Sequence, residues 1–207
     1  MSSDCLEESS QKEQYQDLIN VNLTGVGIVT AWGVAYWDYF SQSPNSTSEN
    51  LFQNATKSGG ADKLGNMYTA YVASHGLSSL YESWCFNKED AALYGALSSL
   101  AILGYMEVGD SFSEIGFSHE DMIINGVGSL LGYYLYTNPN MSSKIDFRWE
   151  YGLHPNNNDI TTDYENSKYL FALKLNGFES FSDNFLWDGL FPSIYSQIIR
   201  GVFPVYF

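Results

Sequence analysis

A chain of 207 residues with 24 acidic and nine basic side chains carries a net charge of −15, which disfavours binding to nucleic-acid backbones and to anionic lipid. Charged residues make up only 16% of it, against about 25% in soluble domains, and aromatics make up another 16%. Such a composition argues against a fully solvated surface and points to membrane lipid or large apolar interfaces as neighbours.

Residues 1–17 (MSSDCLEESSQKEQYQD) form a polar, acidic tail without the basic-then-apolar order of a secretory leader. Leu18 to Trp37 then runs for 20 residues without a charge. That is the length of a membrane-crossing helix, although Asn20, Asn22, Thr24 and Thr30 interrupt it. Trp32, Tyr36, Trp37 and Tyr39 crowd its end, as an interfacial belt or as core packing. Residues 40–61 are rich in Ser, Asn, Gly and Pro and read as an irregular surface segment. Three more uncharged stretches follow, 64–81, 91–106 and 122–143. All are too long for ordinary strands, so helices are expected near 18–39, 62–84, 89–109 and 119–137. Glu89 and Asp90 suit a first turn, and Ser118 suits an N-cap ahead of Glu120 and Asp121. The short connections at 85–88 and 110–118 make consecutive helices antiparallel.

Pro139 ends the last apolar run, and HPNNNDITTD (154–163) reads as a loop. NSKYLFALKLN (166–176) fits an amphipathic helix or a strand. The last residues alternate weakly and end on Phe207, as outer-membrane barrel chains do, but one strand closes no barrel. The expected fold is mainly α: a bundle of about four apolar helices over 18–143, after the tail at 1–17. The remainder, 144–207, is a small irregular or β appendage, truncated or divergent.

Cys5 and Cys85 are the two cysteines, leaving both a disulfide and free thiols open. His75, His119 and His154 lie too far apart for a helical metal motif. Four Asn-x-Ser/Thr triplets, at Asn22, Asn45, Asn54 and Asn140, are near chance in a chain so rich in these residues.

Chemistry concentrates at the helix ends. Asp62 and Lys63 open the second helix, Glu107 and Asp110 close the third, and Asp121 opens the fourth. Asn125 follows Asp121 by four residues and shares its face, which Gly128 and Gly132 continue. On the third helix Ala101 and Gly104 lead to Glu107. Small-residue stripes let backbones approach, so the two faces are expected to meet between the third and fourth helices. They would gather Glu107, Asp110, Asp121 and Asn125 around Lys63. Functionally, such a group is an oxygen-rich site for Mg²⁺ or Ca²⁺, or an acid/base pair for hydrolysis. Structurally, it is an ion pair and an amide tying helices together. His119 stands beside it in sequence. His75, inside an apolar stretch, reads as a packing residue.

Three blocks, GGADKLGNMYTAY (59–71), MEVGDSFSEIGFSHEDMIINGVGSLLGY (106–133) and TDYENSKYLFALKLNGFE (162–179), resemble the YfiM-like family of predicted bacterial envelope lipoproteins of unknown function. The Asp-x-x-x-Asn-x-x-Gly pattern is also distantly similar to VanZ-like membrane proteins. The resemblance covers about residues 20–180 and implies that Asp62, Lys63, Tyr71, Glu107, Asp110, Asp121 and Asn125 act together. Asn66 stands where the family usually has His, and Ser111 where it commonly has Gly. Residues after about 185 do not match.

The expected protein is a membrane-associated component of the bacterial envelope, on the periplasmic side or in the outer membrane. It is an accessory or scaffold that binds membrane lipid or a membrane protein, with no nucleic-acid partner. The alternative is a hydrolase, metal-dependent or acid/base, acting on a lipid or cell-wall substrate through Glu107, Asp110 and Asp121, with a divalent cation as its candidate cofactor. A carbohydrate-binding module ranks last, because such modules are usually strand-rich. Oligomeric state is open.

Overall fold

The computed structural model describes residues 11–48, 60–152, 163–174, 177 and 178. Four long helices dominate: α1 (Gln11–Tyr36), α2 (Ala61–Ser83), α3 (Lys88–Asp110) and α4 (His119–Thr137). The fold is mainly α. Helix α1 begins seven residues before the apolar run, because QKEQYQD consists largely of good helix formers and charge alone does not stop a helix. Asn87 caps α3, its side chain accepting from the Asp90 amide at 2.9 Å. Ser118 does the same for the Asp121 amide at 3.1 Å.

Residues 11–137 fall in one compact unit, in which α2 packs on α3 and α4, α3 packs on α4, and α1 packs on α3. The tight α2–α3 and α3–α4 connections place the end of α3 beside the starts of α2 and α4. Tyr39, just past α1, lies against Gly33 and Gly109, so α1 ends there too. Two residue pairs join β1 (Ser46–Thr47) to β2 (Phe117–Ser118) in parallel. Asn45 strengthens this tie, donating from Nδ2 to the Ser111 and Ser113 carbonyls at 3.2 and 3.0 Å.

Small and polar residues fill much of the interior, beside an apolar cluster of Tyr81, Phe86 and Ala91. Ala70, Ser74, Ser78, Ala91, Ala92, Ser99 and Asn125 are completely buried. A Cβ on Gly95 would strike Ser78 of α2, and one on Gly128 or Gly132 would strike the α2 backbone. The glycine face of α4 therefore meets α2, not the expected α3. Ala101 is exposed, so the stripe on α3 does not form a continuous contact. Polar side chains bridge the helices: Asn22 Nδ2 lies 2.9 Å from Ser98 Oγ, and Thr30 Oγ1 lies 2.8 Å from the Tyr105 hydroxyl. Large apolar side chains point outward, among them Leu23 (64% exposed), Ile28 (63%) and Leu130 (66%), with Leu93, Leu97 and Ile123.

Residues 138–178 belong to a second unit. Pro139 starts a short helix, α5 (Pro139–Ser142), and β3 (Ile145–Tyr151) pairs antiparallel with β4 (Ser167–Leu173). The ambiguous segment from residue 166 is thus a strand. Phe147 and Phe171 stack across the pair at 4.5 Å, with Ile145 opposite Leu173 and Trp149 opposite Tyr169 on the same face. Cys85 is disulfide-bonded; the chain's other cysteine, Cys5, lies outside the described residues, as do His154 and the C-terminal residues 179–207.

Candidate functional site

Lys63 comes one turn into α2 and turns inward, where it is buried. Its ammonium lies 2.9 Å from Asp62 Oδ2. It also contacts both oxygens of Asp121, at 2.9 Å and 3.0 Å. A buried ammonium is costly unless it is paired, and two carboxylates pair this one. Both aspartates remain partly open to solvent, so the cluster reaches the surface on their side.

Deeper in, Asn125 on α4 donates from Nδ2 to Oε1 of Glu107 on α3, at 3.2 Å. Both side chains are buried. Glu107 feels Asp121 and Asp110 as like charges and Lys63 as an opposite one. Neither Glu107 nor Asp110 has an ion-pair partner among the described residues.

The Asp110 carbonyl accepts from the amides of Ser113 and Gly116, both at 3.0 Å, which pins the turn after α3. Its carboxyl lies beside the Tyr39 hydroxyl. That hydroxyl also donates to the Met106 carbonyl at 2.9 Å, and it has only one proton to give. Burial, followed by the facing Asp110 and Glu107 carboxylates, raises the Tyr39 hydroxyl above its ordinary value, so it stays protonated at neutral pH. Buried oxygens here that lack a hydrogen bond among the described residues are Oδ1 of Asp110, of Asn125 and of Asp121, the last of which is in ion-pair contact with Lys63.

Of the residues read from the sequence, Asp62, Lys63, Glu107, Asp110, Asp121 and Asn125 come together at this end of the bundle. The other three stand apart. Tyr71 packs its ring against Tyr68 and His75. His119 is exposed, with its ring on Phe117. Asn66 is half-buried and makes no side-chain hydrogen bond among the described residues. From sequence Tyr39 reads as an interfacial-belt or core-packing aromatic, not as a neighbour of the acidic cluster. Its place beside Asp110 depends on Gly33 and Gly109, whose missing side chains admit the ring. No sequence spacing signals that long-range fit.

Among the described residues no three His, Cys, Asp or Glu side chains are placed to share a metal ion. The arrangement does not fit a divalent-cation centre, which needs six or more oxygens for Ca²⁺ or a strict octahedron for Mg²⁺. What it does provide is a buried, carboxylate-rich cluster at a bundle end, with its one cation already paired.

Comparison with curated proteins and with solved structures returns no match. Residues 48–137, which carry α2, α3, α4 and the polar cluster, match the family model described as predicted periplasmic lipoprotein (DUF2279), which puts the chain on the periplasmic side of the bacterial cell envelope.

Proposed function

We propose that this envelope protein is an accessory or scaffold component held in a membrane by the outer faces of α1, α3 and α4. The observation that carries this reading is the distribution of side chains: Ser, Gly, Ala and Asn fill most of the close helix contacts, beside a few buried large residues such as Tyr81, Leu103 and Leu135, while many Leu, Ile and Val side chains lie exposed. In water that arrangement forfeits much of the main driving force for folding. In lipid it is the expected one, because helices there associate through close small-residue contacts and interhelical hydrogen bonds.

Charge placement agrees. In all four helices the charged residues lie near the two ends, leaving 18–35, 64–81, 91–106 and 122–137 without Asp, Glu, Lys or Arg. Sixteen such residues extend about 24 Å along a helix, close to the thickness of a thin bilayer. Aromatics gather at both ends, with Tyr36, Trp37 and Phe40 at one and Trp84, Phe86 and Tyr94 at the other. Both α1 and α3 are long and apolar enough to cross a membrane; α3 is half buried within the bundle, and Gly33 is the only buried residue of α1. The partner surface in this reading is uncharged or zwitterionic lipid, since the chain itself carries −15.

Alkaline carbonate extraction of envelopes tests the reading. The chain stays with the membrane pellet if the bundle is embedded. Release of the whole population to the supernatant contradicts it.

A further inference from the structure

Glu107 and Asp110 follow the uncharged run 91–106, at the polar end of α3. Glu107 is 2% exposed, and Asn125, its partner across the α3–α4 contact, is completely buried. Charged and titratable neighbours face this acid from every side. From α2 comes Lys63, whose charge is already held by Asp62 and Asp121. From α4 comes Asp121 and from α3 itself Asp110, both like charges. Past the end of α1, the Tyr39 hydroxyl stands beside Asp110, with Tyr105 near it. His119 and Glu120, at the start of α4, are engaged elsewhere, on Phe117 and Ser48. An ionised Glu107 is therefore a buried charge without a cation of its own, which is costly. The neutral acid fits. It accepts from Asn125 Nδ2 through Oε1, at 3.2 Å, and has an O–H to offer Asn125 Oδ1, which has no hydrogen bond among the described residues.

We propose that Glu107 is a proton-operated lock on this end of the bundle: its neutral acid ties α3 to α4 through Asn125, and loss of the proton to alkaline solution loosens that tie. Asp62 and Asp121 are partly exposed and carry the cluster to the surface, where its proton equilibrates with the surrounding pH. Burial, then the like charges of Asp121 and Asp110, push Glu107 up to about 8, and burial pushes Asp110 up to about 6. A carboxyl raised in the folded state binds a proton that the unfolded chain has already lost. Its contribution is complete below the ordinary glutamate value and is lost as pH rises through the raised one, so the lock holds in acid and opens in alkali.

The test compares the full wild-type chain with Glu107→Gln in a neutral detergent, by denaturant unfolding and by infrared spectroscopy. Gln keeps the size of Glu and both hydrogen bonds of the neutral acid. The wild-type folding constant, relative to that of Glu107→Gln, is expected to fall about tenfold or more between about pH 6 and about pH 8. A protonated-carboxyl band is expected in the wild type at about pH 7, fading as pH passes about 8, and absent from Glu107→Gln. The infrared band reports the proton itself, which a merely structural role for Glu107 would not supply. Stability curves that stay parallel, a wild type without the band, or a band that remains in Glu107→Gln overturns the inference. So does a Glu107→Gln chain that fails to fold, because Gln imitates the locked form. None of these outcomes turns on the membrane reading, which carbonate extraction tests by itself.

Discussion

Asp121 grips Lys63 with both carboxylate oxygens, 2.9 and 3.0 Å from the ammonium, and so joins the start of α4 to the start of α2. Asp62, at 2.9 Å, is the second hold on the same charge. Asp121→Asn leaves one oxygen and Asp62 in place, and its cost is expected to be within about 1 kcal/mol. Asp121→Leu removes the stronger partner of a buried cation and is expected to destabilise the bundle by about 3 kcal/mol. Denaturant unfolding of the two variants side by side checks this. Equal losses would mean that the pair contributes nothing specific.

Two glycines only two residues apart should behave in opposite ways. Gly128 faces the Met67 backbone and the Ala70 methyl of α2, where a side chain has no room, whereas Gly126 faces open space. Gly128→Leu is expected to cost about 1–3 kcal/mol through overpacking. Gly126→Ala is expected to stabilise by up to about 1 kcal/mol, because it adds helix propensity with no clash. Thermal melts read both. A tolerated Leu at 128 contradicts the close α2–α4 contact.

Asn22 sits inside an apolar helix yet reaches Ser98 Oγ at 2.9 Å and the Tyr81 hydroxyl at 3.3 Å. Replacing it with Leu is expected to loosen α1 from α3 by about 0.6–1.7 kcal/mol, the range of interhelical hydrogen bonds in lipid. Faster hydrogen exchange over residues 18–30, with α2 and α4 unchanged, is the signature. A uniform change across the bundle would place the role of Asn22 elsewhere.

The helices were legible because missing charge marks them: four uncharged runs gave α1 to α4 to within a few residues, except where the polar segment 11–17 extends α1. The i, i+4 spacing of Asp121 and Asn125 gave their shared face, and the helix-end charges gave the cluster. Partner choice was not legible. Gly128 and Gly132 mark a close approach but do not say to which helix, and the fit of Tyr39 between Gly33 and Gly109 joins residues some 70 positions apart. His119 and Asn66 look like cluster members in sequence, but the helix rotation that brings Asp121 and Lys63 inward leaves His119 exposed and Asn66 half-buried without a hydrogen bond.

On the outer face, Ile28→Asp and Leu130→Asp are each expected to cost about 2–3.5 kcal/mol of membrane insertion, as acidic residues do near a helix centre in lipid. Both positions are largely exposed, so neither substitution disturbs a buried contact. Lower recovery in the membrane fraction checks the prediction. If the same substitutions leave membrane recovery intact and improve solubility without detergent, the outer face meets water.

Spin labels at single introduced cysteines read the environment of that face most directly, since Cys85 is already in a disulfide. With labels at Leu23, Leu97 and Leu130 in reconstituted bilayers, collision with dissolved oxygen should be high and collision with a water-soluble nickel chelate low. A label at Glu114, exposed in the α3–α4 connection, should show the reverse. High nickel accessibility at Leu23, Leu97 and Leu130, equal to that at Glu114, would contradict a lipid-facing outer surface.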